Sequence, residues 1–175
     1  MAINYKLDDA HRDYRTLLPA CLNPLAAKYP QAKLREVRLF KFDINNHSLA
    51  NADHDGIIEF NPYWFAREPR LLQEAALDHP EIDVSGHMLK WHRDATDEPL
   101  QVAAHEFGHI LAQQIPTCLR WAKPAWEKAT RDPSLAPSAY GLVNDSEFWA
   151  ECFCMYELGL APDWMRDEIA ELLVT

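Results

Sequence analysis

The chain has 175 residues, 48% of them hydrophobic, which suits one domain with a core large enough to fold without disulfide or metal staples. Seventeen basic residues against twenty-seven acidic ones give a formal charge of −10, which repels phosphate backbones and anionic membrane surfaces. Nucleic acid and membrane are therefore not expected partners. No window of eighteen uncharged apolar residues occurs, the opening stretch MAINYKLDDAHRDYR is polar, and Cys21, Cys118, Cys152 and Cys154 lack CxxC spacing. The expectation is a cytoplasmic protein with reduced thiols.

Five glycines and twelve prolines punctuate the chain, with no repeat or evident linker, so residues 1–175 are expected to form a single domain. From Leu7 to Ala27, apolar residues at Tyr14, Leu17, Leu18, Cys21, Leu22 and Leu25 fall at helical spacing, and Pro30 ends the pattern. EVRLFKF (36–42) and GIIEFNP (56–62) are short β-branched and aromatic runs separated by Asn, Asp and Gly, and predict two strands. A helix is expected around Pro69 to Leu77, then an irregular stretch. Thr96 can cap a further helix whose first turn carries Asp97, Glu98 and Pro99, and which runs to about Ile115 before Pro116. Helices are also predicted at Pro124–Thr130, Asp145–Leu158 and Pro162–Leu173. The class is α+β: an N-terminal helix, a small mixed sheet, and a mostly helical C-terminal half.

The chemistry concentrates in VAAHEFGHIL (102–111). Residues four apart on a helix share a face, so His105 and His109 can reach one ion, while Glu106 flanks it. This is the HExxH pattern, in which two imidazoles ligate Zn²⁺ and the glutamate serves as general base. The plain alternative is an amphipathic helix that happens to carry two histidines. A catalytic zinc also needs a third protein ligand and an open position. The metzincin continuation is excluded, because Ala112 and Ile115 stand where glycine and a third histidine would be. The segment SEFWAECF (146–153) instead offers Glu147 and Glu151 four apart among Phe148, Trp149, Ala150 and Phe153. Burying such a pair is costly unless a metal or a histidine N–H meets it; otherwise the pair faces solvent.

Together, HEFGH (105–109) and SAYGLVNDSEFWAECF (138–153) resemble the gluzincin family that includes the zinc-peptidase domain of anthrax lethal factor. The resemblance covers residues 105–153, about a third of the chain. It implies a zincin-like fold and a zinc-dependent endopeptidase acting on protein or peptide substrates. It also implies that His105, His109 and Glu147 are metal ligands, Glu106 the general base, Tyr140 a stabiliser of the oxyanion, and Glu151 an outer partner. Helical spacing agrees: one turn beyond Glu147, Glu151 can take the other ring N–H of a ligating histidine. Tyr140, before Gly141 in an expected loop, can swing its phenol toward the site; a tyrosine without chemistry is the plain alternative. The resemblance further implies an edge strand over the cleft that pairs with extended substrate, and residues 56–60 are the candidate, with an ordinary core strand as the alternative.

Gly108, in the middle of the metal helix, costs about 1 kcal/mol in propensity and suggests close approach of another element. His11, His47, His54, His79, His87 and His92 lack partners at ligand spacing and are expected to be solvated or structural. Cys152 and Cys154 are expected to pack as thiols. A competing function is a non-catalytic, zinc-stabilised protein-interaction module, but a site of four structural ligands has no use for Glu106.

Overall fold

The computed structural model describes residues 2–40, 49–70 and 98–173. Strand β1 (Asn4–Lys6) leads into helix α1 (Arg12–Lys28), followed by β2 (Glu36–Leu39), β3 (Ala50–Ala52), β4 (Ile57–Phe60) and the short α2 (Pro62–Phe65). Helices α3 (Glu98–Gln114), α4 (Pro116–Ala129), α5 (Asp145–Glu157) and α6 (Asp163–Leu173) complete the chain. The strands form one mixed sheet in the order β1-β2-β4-β3, with β2 parallel to both neighbours and β3 antiparallel to β4. The fold is α+β, as the alternation of short strands and long periodic segments predicts.

Helix α1 begins at Arg12, not at Leu7, because residues 4–6 pair with β2 and His11 caps the helix by accepting the Asp13 N–H. Pro19 and Pro24 lie inside it. Each removes a backbone donor at about 3 kcal/mol, but Tyr14, Leu18, Leu22 and Leu25 are buried on one face. At about 1.5–3 kcal/mol for each such side chain, that burial outweighs the prolines. The same face meets Val37, Ile58 and Phe60 of the sheet and Phe107, Ile110 and Leu111 of α3 in one hydrophobic core.

Two strands were not apparent from the sequence. β1 and β3 are three residues long, too short for alternation to register, and ANA has little β-propensity. Their placement corrects one expectation: residues 57–60 are not an edge strand, since β4 lies between β2 and β3. The outer strand on that side, among the described residues, is β3. A tight turn joins it to β4, with Asp53 Oδ1 accepting the N–H groups of Asp55 (2.8 Å) and Ile57 (3.0 Å). Gly56 closes the turn at φ 77°, where a Cβ would also lie 2.6 Å from the Lys33 carbonyl oxygen.

Helix α4 starts eight residues before the expected Pro124, because Pro116 is well suited to a first helical turn and Pro124 is accommodated inside. The expected helix at 69–77 lies almost wholly outside the described residues, as do the Thr96 cap and His47, His79, His87 and His92. No described helix is long and apolar enough to cross a membrane.

Candidate metal centre

The site is made by two helices that pack closely. Gly108 of α3 faces α5, and a Cβ there would come within 3.1 Å of Phe153 Cδ1 and 3.2 Å of Ala150 Cα. Trp149, fully buried, donates its indole N–H to the Gly108 carbonyl at 2.9 Å. This contact explains the glycine in a helix interior: its propensity cost admits the second helix.

Helix α5 begins where Asn144 accepts the Glu147 N–H at 2.9 Å, which fixes the first turn and the direction of Glu147. From there Glu147 Oε2 reaches 3.0 Å from His105 Nε2 and 3.2 Å from His109 Nε2, while the two imidazole nitrogens are 3.1 Å apart. His105, His109 and Glu147 form a group that could hold a metal ion. Three donors about 2.0–2.2 Å from one tetrahedral ion are themselves about 3.3–3.6 Å apart, so the triangle fits after an expansion of a few tenths of an ångström.

The outer nitrogens are also held. His105 Nδ1 lies 2.6 Å from Glu151 Oε1, and His109 Nδ1 lies 3.2 Å from Ser146 Oγ. With Nδ1–H donated outward on each ring, each Nε2 faces Glu147 and, once free of its proton, offers a lone pair to an ion. Glu151 is 3% exposed, so the alternative of a solvent-facing carboxylate pair does not hold.

Electrostatics match this arrangement. Burial disfavours charge on His105, but hydrogen bonds to Glu147 and Glu151 outweigh it and raise its pKa well above the ordinary histidine range. Burial likewise opposes ionisation of Glu147, yet His105 and His109 hold its carboxyl down to about 2. An ion bound here would take the place of the proton that His105 shares with Glu147. Glu106 differs. It is 7% exposed, meets no hydrogen-bond donor among the described residues, and burial raises its pKa.

Tyr140 stands at the mouth, 45% exposed, its ring centroid 5.8 Å from that of His105. It opens a single helical turn, Tyr140–Leu142, held by Gly141 N–H to Ser138 Oγ (3.0 Å) and by the Trp126 indole N–H to the Leu142 carbonyl (3.0 Å). A side chain at Gly141 would meet Pro137 Cγ at 2.9 Å, so the glycine lets this turn fold back against Pro137.

A cleft of about 340 Å³ runs over these groups, with β3 along one side. Of the residues singled out in the sequence, His105, Glu106, His109, Tyr140 and Glu147 line it, and Glu151 lies behind His105. Three others were missed. Ser146 carries no motif of its own, and although it immediately precedes Glu147 only the fold brings it to His109. His54, at the tip of the β3–β4 turn, and Gln113, one turn beyond His109, also line the cleft. The spacing His105, His109, Gln113 was the available signal for the last. His11 is the α1 cap, while Cys152 and Cys154 are buried among core side chains. No family model, curated protein or solved structure matches the chain.

Proposed function

We propose that the protein is a zinc-dependent endopeptidase of gluzincin type on a zincin-like fold, with His105, His109 and Glu147 as the ligands. The observation that carries this reading is the convergence of two imidazole Nε2 atoms and one carboxylate oxygen within 3.0–3.2 Å, beside the buried carboxylate of Glu106. The donor set of two imidazoles and one carboxylate suits zinc and leaves a fourth position open. When bound there, zinc would polarise the scissile carbonyl and make water a stronger acid at neutral pH.

The chain's own groups supply the remainder. Glu106 takes a proton from the attacking water and delivers it to the leaving amine, a role for which a carboxylate with a raised pKa is suited. Tyr140 donates its phenolic hydrogen to the oxygen on which negative charge develops. Glu151 and Ser146 hold the two imidazoles in orientation. Strand β3 gives an extended peptide something to add to. Bonds from Asn61 N–H to the Leu49 carbonyl and from Asp53 N–H to the Ile57 carbonyl set the ladder, and by its two-residue alternation Ala52 turns its N–H and C=O away from β4. Main-chain pairing of this kind holds many sequences alike and suits a protein or peptide substrate.

The test is elemental analysis of protein purified without chelator or metal-binding tag, together with a proteome-derived peptide digest. One zinc per chain and cleavage that disappears on chelation are expected. Stoichiometric zinc with no cleavage would favour the interaction module; inability to take up zinc would sink both readings.

A further inference from the structure

A second cavity, of about 400 Å³, lies between α4 and α6 and shares no lining residue with the metal cleft. Successive residues of α5 serve the two: Glu147 lines the cleft, Phe148 this cavity. Phe148 is fully buried, whereas Trp164 of α6 and Leu135, which also line the cavity, are exposed. The size is that of a small-ligand pocket, and covering large apolar side chains that stand in water is favourable.

The charges around the cavity have a direction. Trp121, Ala125 and Lys128 line it at helical spacing, so Trp121 and Lys128 stand two turns apart, about 10 Å along α4. Glu168 of α6 accepts the Trp121 indole N–H at 2.6 Å, which puts a carboxylate at the Trp121 end. At the other end Lys128 has no ion-pair partner among the described residues. The rest of each wall repeats this division. Helix α4 carries Arg120, Lys123 and Lys128 against Glu127, while α6 carries Asp163, Asp167, Glu168 and Glu171 against Arg166. An occupant that is apolar along its length, cationic at one end and anionic at the other complements all of these features. An extended peptide advances about 3.3–3.6 Å per residue, so three residues with free termini span the distance.

We propose that this cavity binds a short apolar peptide of about three residues with free termini, its carboxylate at Lys128 and its ammonium group at Glu168. Trp121, Phe148 and Trp164 hold the side chains between them. The site stands apart from the metal centre and does not depend on the peptidase reading.

The experiment titrates the full chain calorimetrically with trileucine, N-acetyl-trileucine, trileucine amide and triglycine. Trileucine should bind with a Kd below about 1 mM, and triglycine not measurably. Blocking either terminus should weaken binding by up to about 5-fold, the worth of one exposed ion pair. In Lys128→Gln the amide and the free acid should bind alike, and in Glu168→Gln acetylation should make no difference. Both positions are exposed, and a glutamine at 168 can still accept the Trp121 N–H, so neither variant threatens the fold. Trp164→Ala should weaken trileucine by about 10-fold or more. No saturable binding, equal affinity in Trp164→Ala as a peptide held in the metal cleft would show, or terminal preferences unchanged in the two charge variants would overturn the proposal. So would a dimer that Trp164→Ala dissolves and trileucine does not displace, which would give the cavity to a second copy of the chain.

Discussion

His105 Nδ1 and Glu151 Oε1 lie 2.6 Å apart, although 46 residues separate them in the chain. Glu151 is almost wholly buried, so this bond cannot be replaced by water without opening the α3–α5 contact. It fixes which nitrogen of His105 faces the cluster. Glu151→Ala should weaken zinc binding by about 10- to 100-fold, as loss of an outer partner does. Glu147→Ala, which removes a ligand, should weaken it much more. Competition against a chromophoric chelator measures both, and the reverse order would make Glu151 the ligand.

In the proposed mechanism Glu106 handles the proton and does not hold the metal. Glu106→Gln keeps the size and removes the base, so zinc content should stay at one per chain while hydrolysis falls nearly to zero. Side-by-side metal analysis and peptide turnover check this; cleavage at the wild-type rate would remove Glu106 from the mechanism.

Tyr140 is nearly half exposed, and removing one oxygen from a side chain at the surface is a small change. Tyr140→Phe should therefore leave stability within about 0.5 kcal/mol of wild type. If the phenol donates only as charge develops, kcat and kcat/KM should fall together by about 10²- to 10³-fold. Normal turnover in the fully metallated variant would refute the role.

Gly108 and Gly159 separate close packing from backbone conformation. Gly108→Val would drive a branched side chain into Phe153 and the Ala150 backbone. The variant should lose about 1–3 kcal/mol of stability and bind zinc more weakly, because α5 carries Glu147. Gly159 has φ 71° with nothing within 4 Å of an added Cβ. Gly159→Ala should cost about 1 kcal/mol through strain alone and leave zinc affinity unchanged. Thermal melts with zinc titrations distinguish them, and equal zinc affinity in the two variants would show that helix spacing does not govern the site.

Most of what the sequence determined by itself is local. The four-residue spacings of His105 with His109 and of Glu147 with Glu151 put each pair on one helical face, because the 3.6-residue repeat does so whatever surrounds it. The extent of α5 followed from its own periodicity, and Gly108 signalled a close neighbour because a glycine there opposes helix propensity. Which carboxylate faces both imidazoles was a different matter. Spacing alone left Glu147 and Glu151 equivalent, and the choice was implied only by family resemblance. In the fold it follows from how α5 sits on α3, with Trp149 bonded to the Gly108 carbonyl and Phe153 against that glycine. The edge of the sheet was likewise not legible. β3 has neither length nor β-propensity to announce itself, and it is a strand because β4 pairs with it. Ser146, His54 and Gln113 became cleft residues for the same reason: proximity between segments tens of residues apart is set by the joint packing of helices and sheet, which no local pattern encodes.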